Sequence, residues 1–247
     1  MEPPSTPAVR DYDDIADGYD EFVKSSTIHG VALGALLPLC TPSGQVLDLG
    51  CGQGVLAREL AARGNTVVAI DIAERLLALA RRQEKLEPRG ITYRHADAAT
   101  LAGFADASFA GVATSLTFTD IADLQGVLRS VVRVLAPGGW FAFATLHPCF
   151  EPPHARTVEV DGRFAKQVNA YFEEGSWSRN PDSLIGTRYH RRVATILNTV
   201  LEAGLVIERT DEPRGDPTAI EQSPIYGEVA EVLVARAIKP ARRVSPR

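Results

Sequence analysis

The chain has 247 residues and a formal net charge of −5, and 45% of its residues are hydrophobic. This composition is typical of a globular protein with a sizeable core, and the acidic excess disfavours nucleic acid as the partner. The sequence contains no apolar run long enough to cross a bilayer and no signal peptide, so we expect no membrane contact. Its cysteines, Cys40, Cys51 and Cys149, form no CxxC pair. We therefore predict no disulfide framework, no metal site and a reducing, cytoplasmic location.

Strand-like and helix-like segments alternate from about residue 44 onward, which indicates a parallel sheet covered by helices. Strands are predicted at 46–49, 66–70, 91–94, 109–113, 140–144, 205–208 and 231–237, and helices at 55–60, 73–82, 121–135 and 193–203. A tight turn at residues 137–139 is predicted to precede the fifth strand. Residues 150–190 break the pattern with prolines, glycines and aromatic residues. We interpret that segment as an insertion with a little structure of its own.

A glycine-rich turn, Gly50-Cys51-Gly52-Gln53-Gly54, follows the first predicted strand and begins the first helix of the alternating region. Glycines at such a turn let the backbone bend sharply and approach a ligand without side-chain obstruction. The helix N-terminus adds free N–H groups and the positive end of the helix dipole. The turn therefore predicts a site for a nucleotide or for an amino-acid carboxylate.

Two acidic residues indicate which nucleotide the turn binds. Asp71 closes the second predicted strand, where a carboxylate can accept hydrogen bonds from both ribose hydroxyls. Dinucleotide sites favour the spacing G-x-G-x-x-G, whereas the spacing here is G-x-G-x-G with Asp48 two residues before the first glycine. A carboxylate at that position disfavours a pyrophosphate and suits a ligand with an ammonium group. The spacing therefore favours S-adenosylmethionine (SAM) over NAD(P).

The sequence resembles the class I SAM-dependent methyltransferases, especially their small-molecule, ubiquinone/menaquinone-type (methyltransferase type 11-like) branch, over roughly residues 12–237. Residues 46–54 resemble the first motif of that family, and Asp71 resembles its ribose-binding acid. The segment 95–98 resembles the part that contacts adenine, with Asp97 binding the exocyclic amine. Residues 135–140 are similar to the family's turn before the fifth strand. Residues 12–20 resemble its leading helix, whose tyrosines close over the cofactor.

This resemblance implies an α/β, Rossmann-like, seven-stranded and mostly parallel sheet with helices on both faces, its last strand antiparallel, and a lid insertion after the fifth strand. It implies one domain over 1–247, with a cofactor-covering helix (9–30), a cofactor-binding core (44–149), an acceptor lid (150–190) and the C-terminal part of the core (191–238). The expected cofactor is SAM, with S-adenosylhomocysteine (SAH) as product. The predicted cofactor-binding residues are Tyr12, Tyr19, Asp48, Gly50, Cys51, Gly52, Gly54, Asp71, Ile72, Leu76, Asp97, Ala98 and Ser115.

The acceptor is expected beyond the carboxyl ends of the fourth and fifth strands. His147 is the first candidate for a general base and His190 the second, because imidazole titrates near neutrality. Each has a structural alternative: His147 shapes its loop or binds substrate, and His190 is satisfied by the backbone. Since methyl transfer depends mainly on alignment, a base is not obligatory. The predicted substrate-binding residues are Thr117, Phe118, His147, Phe150, Tyr171, Trp177 and Tyr189.

Several functional alternatives remain or are disfavoured. The end of the fourth strand lacks the Asn/Asp-Pro-Pro-aromatic sequence typical of enzymes that methylate nucleobase amines. Asp120 and Asp123 are expected to face outward on a helix, which argues against a magnesium site. The leading hypothesis is methyl transfer to an O or N atom of a small molecule, with C-methylation open. The alternative is a SAM-binding protein that no longer methylates or that catalyses another step, and an NAD(P)-dependent reductase is less favoured. A homodimer is also left open.

Overall fold

The computed structural model of the protein describes residues 8–42, 44–178 and 187–241. Its helices are α1 (Ala8–Ser25), α2 (Thr27–Leu36), α3 (Val55–Ala62), α4 (Glu74–Leu86), α5 (Leu124–Val134), α6 (Val193–Glu202) and α7 (Pro217–Gln222). Its strands are β1 (Gln45–Leu49), β2 (Thr66–Asp71), β3 (Thr92–His95), β4 (Phe109–Ser115), β5 (Leu135–Leu146), β6 (Ala155–Val160), β7 (Arg163–Val168), β8 (Gly175–Ser178), β9 (Thr187–His190), β10 (Val206–Asp211) and β11 (Val232–Ile238). Part of the predicted insertion, residues 179–186, lies outside the described residues.

Seven strands form the central sheet in the order β10-β11-β5-β4-β1-β2-β3. The pairs from β5 to β3 are parallel, whereas β11 is antiparallel to both β5 and β10. The predicted seven-stranded, mostly parallel sheet with an antiparallel last strand is confirmed. The strand order reverses between β1 and β4, and ligand crevices in open α/β sheets lie at such a reversal, beyond the carboxyl ends of the strands.

Helices cover both faces of the sheet, and the sequence of its central strand reflects this. In β1 every residue from Val46 to Leu49 is buried, as expected for a strand enclosed on both faces. One core cluster joins α2 and α3 to one face through residues such as Leu36 and Leu60. A second cluster joins α5 and α6 to the other face through residues such as Leu128 and Val200. The sheet is therefore the rigid support from which the loops at its carboxyl edge extend.

Helix α5 begins at Leu124, three residues later than predicted. Asp123 caps it, because its carboxylate accepts a hydrogen bond from the Gly126 N–H at 2.8 Å. An N-cap residue of this kind fixes the start of a helix. Residues 116–123 are therefore a loop at the carboxyl end of β4, and not the first turn of the helix.

The predicted turn at residues 137–139 lies inside β5 instead of preceding it. The register against β4 pairs Phe109 with Leu135 and then Gly111 with Trp140, so the turn residues bulge between these pairs. Gly138 has φ of 80°, which a glycine adopts without strain. Its N–H donates to the carbonyl of Lys239 at 2.8 Å, which ties the bulge to the end of β11. The glycines do form the predicted tight bend, but the strand begins before this bend and continues after it.

Between β5 and α6 the chain forms two antiparallel hairpins, β6 with β7 and β8 with β9. The end of this insertion is fixed to the loop after β4, because the Tyr189 N–H donates to the Thr119 carbonyl at 2.7 Å. The Arg191 guanidinium donates to the carbonyls of Phe118 (3.1 Å) and Ile121 (2.5 Å) in the same loop. The insertion therefore lies at the carboxyl edge of the sheet.

Helices α1 and α2 meet at a sharp bend, and α2 packs on one face of the sheet while α1 contacts α4. Helix α1 is joined to α4 because the Arg75 N–H donates to the Asp13 carboxylate at 2.9 Å. In the parts of the chain that the structure describes, no single helix is long and apolar enough to cross a membrane. The segments Gly18–Ser25 and Thr27–Leu39 meet that criterion only as a pair, across a bend of 65°.

Candidate functional site

A cavity of about 250 Å³ lies at the carboxyl edge of the sheet, where β1, β2 and β4 end. Ten of the thirteen predicted cofactor-binding residues line it: Tyr12, Tyr19, Gly50, Gly52, Asp71, Ile72, Leu76, Asp97, Ala98 and Ser115. Thr117, predicted to bind substrate, lines it too. The structure thus brings together residues from five separate segments of the sequence. We call this the first cavity.

The glycine-rich turn forms one wall of the first cavity. The N–H groups of Gly50 and Cys51 donate to the Ile70 carbonyl at 2.9 and 2.8 Å, which holds the turn against β2. Gly50 has φ of 71°, and a Cβ there would meet the Thr117 side chain at 2.5 Å. A side chain at Gly50 would thus fill space between the turn and the loop after β4. Only glycine leaves that cradle open.

Asp71, at the end of β2, organises the turn from below. One of its carboxylate oxygens accepts a hydrogen bond from the Gly52 N–H at 2.7 Å, and the other accepts from the Ala73 N–H at 2.8 Å. Burial raises the pKa of Asp71, and these backbone hydrogen bonds oppose that rise. Each carboxylate oxygen retains a lone pair for a further donor. Asp71 can therefore accept hydrogen bonds from ligand hydroxyls while it holds the turn.

The three remaining predicted cofactor residues, Asp48, Cys51 and Gly54, lie behind the wall and do not line the first cavity. Asp48 is 1% exposed and Cys51 7% exposed. Gly54 is the N-cap of α3 with φ of 90°, and a Cβ there would overlap the Tyr93 hydroxyl. These residues support the turn from behind. The Asp48 carboxylate therefore does not face the first cavity, where a ligand ammonium group would lie.

Burial and the neighbouring Asp71 carboxylate raise the pKa of Asp48 from 3.8 to about 8. In the unfolded chain the group ionises near its ordinary value, whereas in the folded chain it stays protonated up to about pH 8. The free energy of unfolding therefore falls as the pH rises between these values, by up to about 1.4 kcal/mol per pH unit for one group. We expect Asp48→Asn to remove much of this fall and to be more stable than the wild type at pH 8.

Denaturant unfolding between pH 5 and pH 9, without ligand, measures this difference. Asp106→Asn is the matched control, because Asp106 is exposed and its ion pair with Arg133 is at the surface. The expectation fails if Asp48→Asn and the wild type differ by the same amount at every pH.

The opposite end of the first cavity is formed after β3 and at the start of α4. Asp97 accepts a hydrogen bond from the Ala99 N–H at 2.8 Å, and this closes a turn there. Ile72 and Leu76 line the space between Asp71 and Asp97. Apolar walls between two polar ends suit a flat, partly apolar ligand group with polar groups at its rim.

Helix α1 covers the first cavity with two tyrosines. The rings of Tyr12 and Tyr19 are 5.1 Å apart in an edge-to-face arrangement, and both line the cavity. The Tyr12 hydroxyl donates to the Asp120 carboxylate, and burial raises the pKa of both tyrosines. The two side chains, seven residues apart, therefore share the face of α1 that meets the cavity.

The expectation that Asp120 faces outward is wrong. Asp120 belongs to the loop after β4, lines the first cavity and lies 3.8 Å from the Arg188 Nε. Burial raises its pKa to about 6, against the lowering effect of Arg188 and Tyr12. Asp123, by contrast, has a largely exposed side chain. Among the described residues, no three His, Cys, Asp or Glu side chains converge as a metal site would need.

A second cavity of about 180 Å³ adjoins the first, and Tyr19 and Leu116 line both. Its apolar wall includes Phe22, Ile28, Leu146 and Trp177. Its polar side chains are His29, Glu151, Arg188 and Glu231. These come from α2, from the insertion and from the segment before β11. Of the residues predicted to bind substrate, Trp177 is the one that lines this cavity.

The two candidate general bases lie outside both cavities. His147 is 3% exposed, its Nε2 is 2.7 Å from a Glu212 carboxylate oxygen, and its Nδ1 accepts from the Cys149 N–H at 3.2 Å. His190 is 1% exposed, and its Nε2 donates to the Tyr171 carbonyl at 2.9 Å. Burial lowers the pKa of His190. Both ring nitrogens of His147 are thus hydrogen-bonded within the protein, whereas in His190 only Nε2 is, and its Nδ1 is buried without a hydrogen-bond partner among the described residues.

The other residues predicted to bind substrate support the loops around the cavities. Phe118 is 1% exposed and stacks on Phe143 with ring centroids 4.7 Å apart, so it belongs to the core. Phe150 packs on the His147 ring, and the Tyr171 hydroxyl accepts from the Val193 N–H at 2.9 Å. Tyr189 lies beneath the Arg191 guanidinium. None of these four side chains lines either of the two cavities.

The sequence analysis did not predict four polar side chains that line the two cavities: Asp120, Glu151, Arg188 and His29. Asp120 was assigned to the wrong element. Glu151 and Arg188 belong to the insertion, where aromatic residues drew attention instead of charges. The available signal was the presence of a few charged side chains in a segment rich in aromatic residues, since charges are seldom buried without a partner or a role.

Comparisons with known proteins agree with this geometry. Residues 47–143 match the methyltransferase domain family. The ubiquinone biosynthesis O-methyltransferases of Paracidovorax citrulli (strain AAC00-1) and Chromobacterium violaceum are 33% and 34% identical, over 51% and 42% of this chain and 54% and 44% of theirs. The chain thus spans about half the length of the curated relatives it matches. Among solved structures, an S-adenosylmethionine dependent methyltransferase from Mesorhizobium loti has 29% sequence identity to this chain and superposes with a TM-score of 0.73. The match covers 87% of this chain and 99% of that one.

Proposed function

We propose that this chain is a class I SAM-dependent methyltransferase that transfers a methyl group from SAM to a small-molecule acceptor. The observation that carries the proposal is the first cavity, where the glycine-rich turn, Asp71 and Asp97 converge at the carboxyl edge of the sheet. The matches to methyltransferases by sequence and by fold support the same reaction.

The residues of the first cavity fit SAM. The open cradle beside Gly50 and the N–H groups at the start of α3 suit the amino-acid end of the cofactor. Asp71 is available for the ribose hydroxyls, and Asp97 for the exocyclic amine of adenine, with Ile72 and Leu76 beside the base. When bound, SAM supplies an electrophilic methyl group on a sulfonium. The tyrosines of α1 would then exclude water from it.

The second cavity is proposed as the acceptor site because it shares two wall residues, Tyr19 and Leu116, with the first. A nucleophile there would approach the first cavity directly. Holding the two reactants in line accounts for roughly 7–11 kcal/mol of a barrier of this kind. The curated relatives are named O-methyltransferases, which supports an oxygen acceptor, with nitrogen as the alternative.

Calorimetric titration with SAH, with NADH and NADPH in parallel, tests the proposal. We expect micromolar SAH binding and no binding of either nicotinamide, because the glycine spacing is not the G-x-G-x-x-G that dinucleotide sites favour. Turnover of SAM to SAH with a small-molecule acceptor is the second expected result. Nicotinamide binding without SAH binding would make the protein a reductase, and SAH binding without turnover on any acceptor would make it a SAM-binding protein.

A further inference from the structure

We propose that the second cavity binds a small aromatic acceptor with a hydroxyl group, and that Glu151 receives the proton of that hydroxyl during methyl transfer. This inference rests on the proposed function and names the acceptor class of the same site. It differs from the sequence-based expectation, which assigned the base to His147 or His190.

The first observation is an unpartnered carboxylate oxygen in the wall of the cavity. Glu151 is 6% exposed and lines the second cavity, and one of its oxygens is buried with no hydrogen-bond partner among the described residues. A buried polar atom left without a partner costs about 1–3 kcal/mol, so native proteins seldom keep one without a role. A ligand O–H in the cavity would supply the missing donor.

The second observation concerns the shape and chemistry of the cavity. The rings of Tyr19, Phe22 and Trp177 line it, and the Trp177 indole N–H is also buried with no hydrogen-bond partner in the part of the chain that the structure describes. An apolar cavity of about 150 Å³ holds a benzene molecule, so about 180 Å³ accommodates one substituted aromatic ring. Among the described residues, four buried polar atoms of this wall lack a hydrogen-bond partner: Glu151 Oε2, Glu231 Oε1, Trp177 Nε1 and Arg188 Nε. Glu231 and Arg188 belong to ion pairs with Lys166 and Asp120, so Glu151 Oε2 and Trp177 Nε1 are the acceptor and the donor that a phenol would meet beside the aromatic wall.

The third observation is the charge balance around Glu151. Arg188 from β9, Glu231 before β11, His29 from α2 and Tyr19 from α1 line the same cavity as Glu151, and Asp120 from the loop after β4 also acts on its carboxyl. Lys166 from β7 lies behind Glu231. Arg188 lies 3.8 Å from Asp120, and Lys166 forms an ion pair with Glu231 at 2.7 Å. Each of the two cations is therefore nearest to another carboxylate, and among the described residues Glu151 forms no ion pair of its own, although Arg188 still lowers its pKa.

These surroundings make Glu151 a base of suitable strength. Burial raises its pKa to about 8, Arg188 opposes this rise, and Asp120 and Glu231 add to it. Phenols ionise near pKa 10, so a carboxylate of raised pKa is closer to them than an ordinary glutamate is. His29 is less suited, because burial and Arg188 lower its pKa to about 4 and its Nδ1 is 2.9 Å from the Ser26 hydroxyl.

The step balances with the groups named. The hydroxyl proton passes to the ionised Glu151 while the phenol oxygen forms a bond to the methyl carbon. The bond between that carbon and sulfur breaks, and its electron pair stays on sulfur. The products are an aryl methyl ether, SAH and protonated Glu151, which returns its proton to solvent.

The experiment compares Glu151→Gln with the wild type on two phenols, 4-methylphenol and the more acidic 4-nitrophenol. For 4-methylphenol we expect kcat/KM to fall about 10²–10⁴-fold in the variant. The wild-type value should rise with pH up to about pH 8, and the variant should lack this rise. For 4-nitrophenol, which ionises without help, the loss should be less than tenfold. Glu228→Gln, at an exposed ion pair with Arg163, is the matched control.

Binding measurements separate this proposal from the proposed function. The variant should bind SAH like the wild type, and the SAH-loaded variant should bind 4-methylphenol within tenfold of the wild type by calorimetry. An equal loss on both phenols, or a wild-type pH profile that survives in Glu151→Gln and disappears in Glu231→Gln, would overturn the role of Glu151. If SAH binds but no phenol binds or reacts, the acceptor class is wrong while the proposed function stands. If SAH itself fails to bind, the proposed function fails.

Discussion

Asp71→Ala is expected to weaken SAH binding at least about 100-fold. The substitution removes the proposed acceptor for the ribose hydroxyls, and hydrogen bonds to a charged group contribute about 1.5–3 kcal/mol each. Two such bonds correspond to more than a hundredfold in the dissociation constant. It also removes the carboxylate that accepts from the Gly52 and Ala73 N–H groups, so the glycine-rich turn loses its support from β2.

Calorimetry with SAH measures this loss, and circular dichroism verifies that the variant is folded. Asp106→Ala is the control, because it removes a carboxylate that lies at the surface and lines neither cavity. A folded Asp71→Ala protein with wild-type affinity for SAH would show that Asp71 does not contact the cofactor.

Gly111→Ala is expected to lower the free energy of unfolding by about 3 kcal/mol, a typical upper value for overpacking a core. Gly111 lies in β4 beside Trp140 of β5, and a Cβ on Gly111 would overlap the indole ring. Trp140 is 3% exposed in the core, so the ring cannot move aside into solvent. Since whole domains are stable by only about 5–15 kcal/mol, the loss is large.

Urea unfolding measures this change, and two further variants identify its cause. Gly34→Ala, in α2 with open space around the added Cβ, should be neutral or slightly stabilising, because alanine is the better helix former. Gly111→Ala combined with Trp140→Phe should recover part of the stability, since the smaller ring leaves room. A Gly111→Ala protein as stable as the wild type would contradict the close approach of Trp140 to β4.

The sheet could be predicted from the sequence because each central strand is a short apolar run followed by turn residues. Val46–Leu49 and residues 66–70 show this pattern, and both became strands near the predicted bounds. The first cavity followed from the same regularity, since parallel strands bring their carboxyl ends to one edge. The predictions were wrong where one local sequence pattern is compatible with two structures. Residues 137–139 form a bulge within β5 instead of a turn before it, and the Asp123 cap makes α5 begin at Leu124 instead of residue 121.

The second cavity could not be predicted, because no single segment encodes it. Glu151 follows β5, Arg188 lies in β9, and Glu231 precedes β11. Their convergence depends on how the insertion packs against the loop after β4, which is set by contacts such as the one between Tyr189 and Thr119. The histidines were favoured for their usual pKa, yet burial against neighbouring groups left neither one facing a cavity.

The two cavities are built from different parts of the chain, and this affects which positions can change during evolution without loss of the fold. The first cavity is built largely at the ends of strands, so a change there disturbs the sheet. Phe22, Ile28 and Trp177 belong to helices and a hairpin outside the sheet. Substitutions at Phe22 and Trp177 should therefore alter acceptor preference at the proposed site at little cost to folding, whereas Ile28 also packs against the core. Directed evolution of acceptor preference would start with Phe22 and Trp177.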